Sequence, residues 1–133
     1  MPLTSLICLD DPGLCGAVLD RFQTQGWRTT TKVHEAAALQ PDLVVIDARA
    51  LYLLEALKSD PRTARLSVVV IGGSGDWDLK GRSLKLGALA YLTRPLDLAA
   101  FDALTRFIES GLRGPEIDEV DARRLGAVAP LAR

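Results

Sequence analysis

The chain has 133 residues, of which 48% are hydrophobic and 25% are charged, and its net charge is −1. Such a length and composition are typical of one globular domain with its own core. The near-neutral charge gives no electrostatic basis for binding nucleic acid or a membrane surface. No apolar run approaches the roughly twenty residues that a membrane span needs, and the first residues lack the basic region of a signal peptide. We therefore expect a cytoplasmic protein.

The cysteines and the histidine do not form a metal or redox motif. Cys8 and Cys15 lack the spacing of a redox or zinc pair. Cys8 falls in an apolar strand-like run and Cys15 in a predicted helix, so we expect buried free thiols in a reducing compartment. His34 has no second imidazole with which to share a metal, and we expect it in a solvated loop.

The first half of the chain alternates strand and helix patterns. A predicted strand over residues 3–9 is followed by a helix that ends near residue 25, where glycine follows. A second strand over 27–33 is expected at a sheet edge, and a short alanine-rich helix over 35–39 ends before Pro41. The third strand, 43–46, has only branched apolar residues, which is typical of a strand buried on both faces of a parallel sheet.

The same alternation continues in the second half. A helix from residue 51 to 59 precedes a buried strand over 68–71, and a glycine-rich loop follows. The helix over 76–86 is weak, because an internal glycine costs about 1 kcal/mol relative to alanine. After a strand over 88–93, Asp97 is the predicted N-cap of the last helix. The apolar stripe of that helix, which Gly114-Pro115 closes, comprises Leu98, Phe101, Leu104, Ile108 and Leu112.

Five strand–helix pairs predict an α/β fold. We expect a single doubly wound, five-stranded parallel sheet of order 2-1-3-4-5, with right-handed crossovers and helices on both faces. This flavodoxin-like or CheY-like domain would occupy residues 1–113. Residues 114–133 contain no aromatic residue and mix acidic and basic groups, so a linker, a loose tail or a short docking helix is expected there.

Acidic residues follow two strands that this order makes neighbours. Asp10 and Asp11 follow the first strand, and Asp47 follows the third. Ligands gather at the carboxyl ends of parallel strands. Crowded carboxylates raise one another's pKa unless a cation joins them, and oxygen ligands suit Mg²⁺. Arg94 brings a positive charge to the same edge. The alternative is that these acids are turn residues, since Asp-Asp-Pro-Gly is also a good turn sequence.

These residues resemble the receiver domain of bacterial two-component response regulators, the CheY-like family. The shared pattern is paired acids after the first strand, an acid after the third and a cation followed by proline after the fifth. The segment 86–96, LGALAYLTRPL, is similar to the family's G-A-x-x-Y-L-x-K-P. Ser59-Asp60-Pro61-Arg62 and the strand that follows also match. The resemblance spans residues 3–112.

The resemblance implies a role for each matching residue. Asp47 would accept a phosphoryl group from a histidine kinase, a phosphotransfer protein or a small phosphodonor. Mg²⁺ would be bound by Asp47 and Asp11, through water by Asp10, and by the backbone carbonyl of Arg49. Arg94 would take the place of the family's lysine and pair with the phosphoryl group, and its bond to the following proline would be cis.

The chain departs from the family pattern at three places. Gly72 stands where the family has a switch threonine or serine, and Ser74 could replace that hydroxyl only if the loop folds inward. Arginine at position 94 replaces a compact ammonium by a planar fork. The loop after Asp47 lacks the Met-Pro and Asp-Gly of the family. We expect Tyr91, which resembles the family's switch aromatic, to act in packing more than in switching.

Two functions remain open, and neither is that of an enzyme. One is a phosphorylatable receiver that signals to a downstream protein, or dimerises, through the face of its fourth helix, fifth strand and fifth helix. The other is a pseudo-receiver, a protein-interaction module that works without phosphorylation. A phosphatase of the haloacid-dehalogenase kind would need an acid two residues after Asp47, where this chain has Arg49.

Overall fold

The computed structural model describes residues 3–110, in which five strands alternate with five helices. The strands are β1 (Thr4–Cys8), β2 (Arg28–Thr30), β3 (Leu43–Asp47), β4 (Val68–Gly72) and β5 (Ala90–Thr93). The helices are α1 (Pro12–Thr24), α2 (Ala36–Leu39), α3 (Leu51–Ser59), α4 (Trp77–Lys85) and α5 (Leu98–Glu109). Short 3-10 turns at Val33–Glu35 and Ala48–Ala50 precede α2 and α3.

All five strands are parallel, in the order β2-β1-β3-β4-β5. This confirms the predicted α/β class, the sheet order and the position of β2 at an edge. Every residue of β3 and of β4 is buried, as their unbroken apolar runs indicate. β3 lies at the centre of the sheet, where it pairs with β1 on one side and β4 on the other.

The sheet separates two hydrophobic cores because successive side chains of a strand point to opposite faces. On one face, Val44 and Val70 pack with Leu54 of α3, together with apolar residues of α2 and α4. On the other face, Val45 packs with Phe22 of α1 and Phe101 of α5. Each helix therefore buries one apolar side, and the carboxyl edge of the sheet is left for the loops.

Carboxylates cap the helices on either side of this edge. Asp11 Oδ1 accepts hydrogen bonds from the amides of Gly13 and Leu14 at the start of α1. Asp97 does the same for Ala99 and Ala100 at the start of α5, which confirms it as the predicted N-cap. The two residues are thus equivalent in their local structure, although only Asp11 lies beside the third strand's end.

Some expectations need correction. Leu98, predicted in the core stripe of α5, is 40% exposed, because it is the first residue of the helix and Leu96 packs against the core instead. The cysteines are free as expected but only partly buried, and burial raises the pKa of the Cys8 thiol to about 11. Several strands are shorter than predicted, because β1, β2 and β5 pair over only three to five residues.

Other expectations hold or fall outside the described part. His34 is exposed, though in a 3-10 turn and not in an open loop. Leu112, the predicted stop at Gly114-Pro115 and the segment 114–133 lie outside residues 3–110. Within that range, no helix is long and apolar enough to cross a membrane.

Candidate functional site

The ends of β1, β3 and β5 bring the candidate residues to one edge of the sheet. Asp47 is the last residue of β3, and the register pairs it with Ile71 of β4. The end of β1 lies beside Ile46, so Asp10 and Asp11 follow at the same edge. On the other side, Arg94 directly follows β5, and its backbone amide donates to the carbonyl of Gly72.

Asp47 lies at the centre of this edge, and both of its carboxylate oxygens accept hydrogen bonds from arginines. Oδ2 accepts from a terminal nitrogen of Arg94 at 2.5 Å. Oδ1 accepts from the backbone amide of Arg49 at 2.9 Å and from its Nε at 3.3 Å. The Asp47 side chain is only 1% exposed, against 30% for Arg94 and 64% for Arg49. The carboxylate is therefore buried beneath two cations that reach solvent.

This environment keeps Asp47 ionised. Burial by itself raises the pKa of a carboxyl group, but the hydrogen bonds from Arg49 and Arg94 and the charge of Arg94 outweigh it. The net result is a pKa below the ordinary aspartate value. At neutral pH, Asp47 is thus a carboxylate with its charge balanced by two guanidinium groups.

Arg49 also lies within the electrostatic reach of the other two acids. Its pKa is raised chiefly by the hydrogen bond and the charge of Asp47, with smaller contributions from Asp10 and Asp11. The charge of its guanidinium is therefore felt by all three carboxylates that the sequence predicts to gather, although it contacts only Asp47. The family resemblance predicts a role only for the backbone carbonyl of this residue, although the sequence also shows a basic residue beside three predicted acids.

The acids alone are not arranged to hold an ion. Within residues 3–110, no group of three or more His, Cys, Asp or Glu side chains is placed to bind a metal. Asp11 uses Oδ1 to cap α1, and both oxygens of Asp47 are occupied by arginines. The chemistry of the donors nevertheless fits a hard cation, since all are oxygens at one edge of the sheet. In the arrangement seen here, the guanidinium groups of Arg49 and Arg94 both contact Asp47.

The aromatic ring of Tyr91 closes the other side of the site. Tyr91 is 5% exposed, and its hydroxyl donates to the carbonyl of Gly73 at 3.1 Å. A methyl group at Gly72 would lie 2.7 Å from Cβ of Ala48 and 2.8 Å from Cζ of Tyr91. The phenol therefore occupies the space that a side chain at the end of β4 would need.

The loop after β4 does not bring a hydroxyl into this space. Ser74, considered as a replacement for the absent threonine or serine, is exposed. The backbone amide of Gly73 donates to Oδ2 of Asp76 at 3.3 Å. The carboxylate of Asp76, which belongs to this loop, therefore holds the loop backbone at Gly73. The Tyr91 hydroxyl donates to the Gly73 carbonyl and not to a serine or threonine hydroxyl.

Comparison with known proteins relates this fold to solved structures. No family model and no curated protein matches the chain. Among solved structures, a response regulator from Desulfuromonas acetoxidans is similar with a TM-score of 0.67 and 18% identity, over 85% of this chain and 100% of that one. The receiver domain of a histidine kinase from Syntrophus aciditrophicus has a TM-score of 0.68 and 21% identity, over 87% and 95% of the two chains.

A third neighbour is the receiver domain of Ssk1 from Saccharomyces cerevisiae, solved with the histidine phosphotransfer protein Ypd1. It has a TM-score of 0.69 and 14% identity, over 88% of this chain and 95% of that one. This chain has the receiver-domain fold. The predicted resemblance to the CheY-like family is confirmed at the level of the fold, since these three structures align over 85–88% of this chain.

In the receiver fold of this chain, the sequence-predicted residues fall into three sets. Asp47, Arg94 and Arg49 are in direct contact, and the Arg94-Pro95 bond is cis, as the resemblance implies. Gly72 and Tyr91 are also in contact, at the end of β4. Asp10 and Asp11 are exposed at the rim, where Asp11 has a structural role as a cap.

Proposed function

We propose that this chain is a receiver in a phosphorelay, which accepts a phosphoryl group on Asp47 and passes the signal on by protein–protein contact. The observation that supports this most is the buried, ionised carboxylate of Asp47 at the carboxyl end of β3, held by Arg94 from the end of β5. A donor would be a histidine kinase or a phosphotransfer protein. A small phosphodonor would suffice in vitro.

The chemistry follows from the state of these two side chains. An ionised Asp47 oxygen attacks phosphorus and forms a new O–P bond, while the donor's bond to phosphorus breaks and its electron pair leaves with the donor. The product is an acyl phosphate on Asp47. The guanidinium fork of Arg94 pairs with two oxygens of the transferred group and offsets the charge that develops there.

A divalent cation would be held by oxygen atoms at the same edge of the sheet. Asp47, Asp11, Asp10 and the backbone carbonyl of Arg49 would hold Mg²⁺, which supplies charge neutralisation at the phosphoryl oxygens when bound. Access to Asp47 depends on the Arg49 side chain, which is 64% exposed and can turn into solvent at low cost.

The partners follow from the same proposal. The signal would pass to a downstream protein, or to a second copy of the chain, through the face formed by α4, β5 and α5. Leu98 at the start of α5 and Trp77 at the start of α4 are exposed apolar residues on these elements. We assign the receiver to residues 1–113, a tail or linker to 114–133 and the protein to the cytoplasm. It would act as a signalling module, with neither nucleic acid nor membrane as a partner.

A second candidate is a pseudo-receiver that binds its partner without phosphorylation. The specific observation in its favour is the contact between Tyr91 and Gly72. The ring already fills the end of β4, and the residue there has no hydroxyl with which to sense a phosphoryl group. The fold would then present a constant surface.

Incubation with acetyl phosphate and Mg²⁺, followed by intact-mass spectrometry, separates these two candidates. We expect a single phosphoryl adduct on the wild-type protein and none on Asp47→Asn. Asp60→Asn is the matched control, because Asp60 also accepts from an arginine two residues later but lies outside the site. It should be phosphorylated as the wild type is. The absence of an adduct on the wild type, together with no beryllofluoride complex, would contradict the receiver function and favour the pseudo-receiver.

A further inference from the structure

Arg49 contacts Asp47 in a way that its backbone role does not require. Its backbone amide donates to Asp47 Oδ1 at 2.9 Å, and its side-chain Nε donates to the same oxygen at 3.3 Å. The other oxygen of Asp47 is bound by Arg94. Both sides of the acceptor carboxylate are therefore engaged by permanent cations, one from the end of β5 and one from the turn after β3.

The local geometry of the turn explains the hydrogen bonds between Asp47 and Arg49. It does not explain why Asp47 is buried or why other acids lie near. Asp60 and Arg62 repeat the same geometry, with the amide of Arg62 donating to Asp60 Oδ1 at 2.9 Å and its Nε at 3.2 Å. An aspartate at a turn thus readily accepts from an arginine two residues later. The pair in the site differs in two respects: Asp47 is buried, and the charges of Asp10 and Asp11 also act on Arg49.

The position of Arg49 has a consequence for any divalent cation that approaches the acids. A metal ion held by Asp47 together with Asp10 and Asp11 would lie beside the Arg49 guanidinium, and two cations so close repel each other. The ion would also need the Asp47 oxygen that Arg49 now occupies. The two cations therefore cannot both be bound in the arrangement seen here.

We propose that the Arg49 side chain is a tethered cation that competes with a divalent metal ion for the carboxylates of Asp47, Asp10 and Asp11. The metal binds only when Arg49 turns into solvent, so this arginine lowers the metal affinity of the site and sets the concentration at which the site is loaded. The relevance of this competition to signalling rests on the proposed phosphoryl transfer, whereas the competition itself concerns metal binding alone.

The test measures metal binding without any phosphodonor. Mn²⁺ is titrated into the full chain, and its binding is followed by the loss of the electron paramagnetic resonance signal of the free ion. We expect Arg49→Ala to bind Mn²⁺ about two- to fivefold more tightly than the wild type, since the ion no longer has to displace an exposed guanidinium from Asp47. The backbone carbonyl and amide remain in this variant. Asp47→Asn in the Arg49→Ala background should abolish the gain.

Arg62→Ala is the matched control, because it breaks the equivalent pair with Asp60 outside the site. It should bind Mn²⁺ as the wild type does. The proposal is overturned if Arg49→Ala binds no more tightly than the wild type, if Arg62→Ala gains as much, or if the gain survives Asp47→Asn. Because phosphorylation is assayed separately, a chain can pass this test and fail the adduct test, or the reverse, so the two proposals fail independently.

Discussion

At the end of β4, a single residue without a side chain decides how the site is closed. Gly72 is buried, and the phenol of Tyr91 lies against it with its hydroxyl bound to the carbonyl of Gly73. The conformational freedom of glycine is not needed here. What matters is the absence of Cβ, because Ala48 and the phenol ring take up the space from two sides.

The first prediction concerns this contact. Gly72→Ala should lower the free energy of unfolding by about 1–3 kcal/mol, because the new methyl overlaps Ala48 and Tyr91 in a closely packed region. Urea denaturation measures the change. Gly75→Ala is the control, since a methyl there meets nothing within 4 Å. Equal stability of the two variants would show that Tyr91 moves aside freely, which is the behaviour of a working switch.

The second prediction concerns the pH dependence of stability and rests on Asp47. Its pKa is lowered in the folded protein, so between that value and the ordinary value of about 3.9 the unfolded chain binds more protons. The contribution of Asp47 to stability is therefore complete above about pH 5 and is lost as the pH falls through its native pKa. In urea denaturation between about pH 6 and about pH 3, Asp47→Asn should lose less stability with falling pH than the wild type.

Asp60→Asn provides the comparison for this effect. The pKa of Asp60 is also lowered, by its hydrogen bonds with Arg62, but its side chain is 32% exposed against 1% for Asp47. Exposed ion pairs contribute little because solvent screens them. We therefore expect Asp60→Asn to change the pH profile less than Asp47→Asn. Parallel profiles for the wild type and Asp47→Asn would show that the two arginines do not stabilise the ionised carboxylate.

At the scale of the elements, Asp11, the N-cap residue of α1, has one structural role and one proposed functional role. Asp11 Oδ1 caps the helix through the amides of Gly13 and Leu14, and the same carboxylate is a proposed ligand of the metal. The far part of α1 is tied to α5, where Arg21 donates to both oxygens of Asp102 at 2.9 and 2.7 Å. The cap thus determines where α1 starts, and the ion pair holds it beside α5.

The third prediction separates the two uses of Asp11. Asp11→Ala should lower the free energy of unfolding by about 1 kcal/mol, as expected for the loss of an N-cap. Asp11→Asn retains the capping oxygen and should remain within a few tenths of the wild type, but it should reduce phosphorylation by acetyl phosphate. Asp97→Ala, which removes the equivalent cap of α5, should be destabilised yet phosphorylated normally. If Asp11→Asn is phosphorylated as fast as the wild type, Asp11 serves only as a cap.

At the scale of the whole molecule, the buried sheet and its two cores fix the positions of all these loops. Apolar side chains of β3 and β4 face both cores, so the sheet cannot shift in register without exposing them. The loops at the carboxyl edge carry the polar residues, and the strands hold them rigidly in place.

Much of the fold could be predicted from the sequence, because the signals are local. The unbroken apolar run of β3 indicates a strand buried on both faces, and the alternation of strands and helices indicates a parallel sheet. Asp97 was predictable as a cap for the same reason. The prediction that Leu98 belongs to the core is wrong, because helical periodicity does not reveal where a helix first meets the sheet; that depends on the path of the preceding loop.

For the site, the sequence by itself determined which charged residues reach the carboxyl edge: Asp10, Asp11, Asp47 and Arg94 all follow strands, and strand order places their ends together. Only the tertiary structure decided how they pair. Whether Asp47 meets Arg94 or another acid depends on side-chain paths over a few ångströms, which no spacing in the chain encodes. The same holds for Tyr91, whose ring fills the space at Gly72 because β4 and β5 are neighbours in the folded sheet.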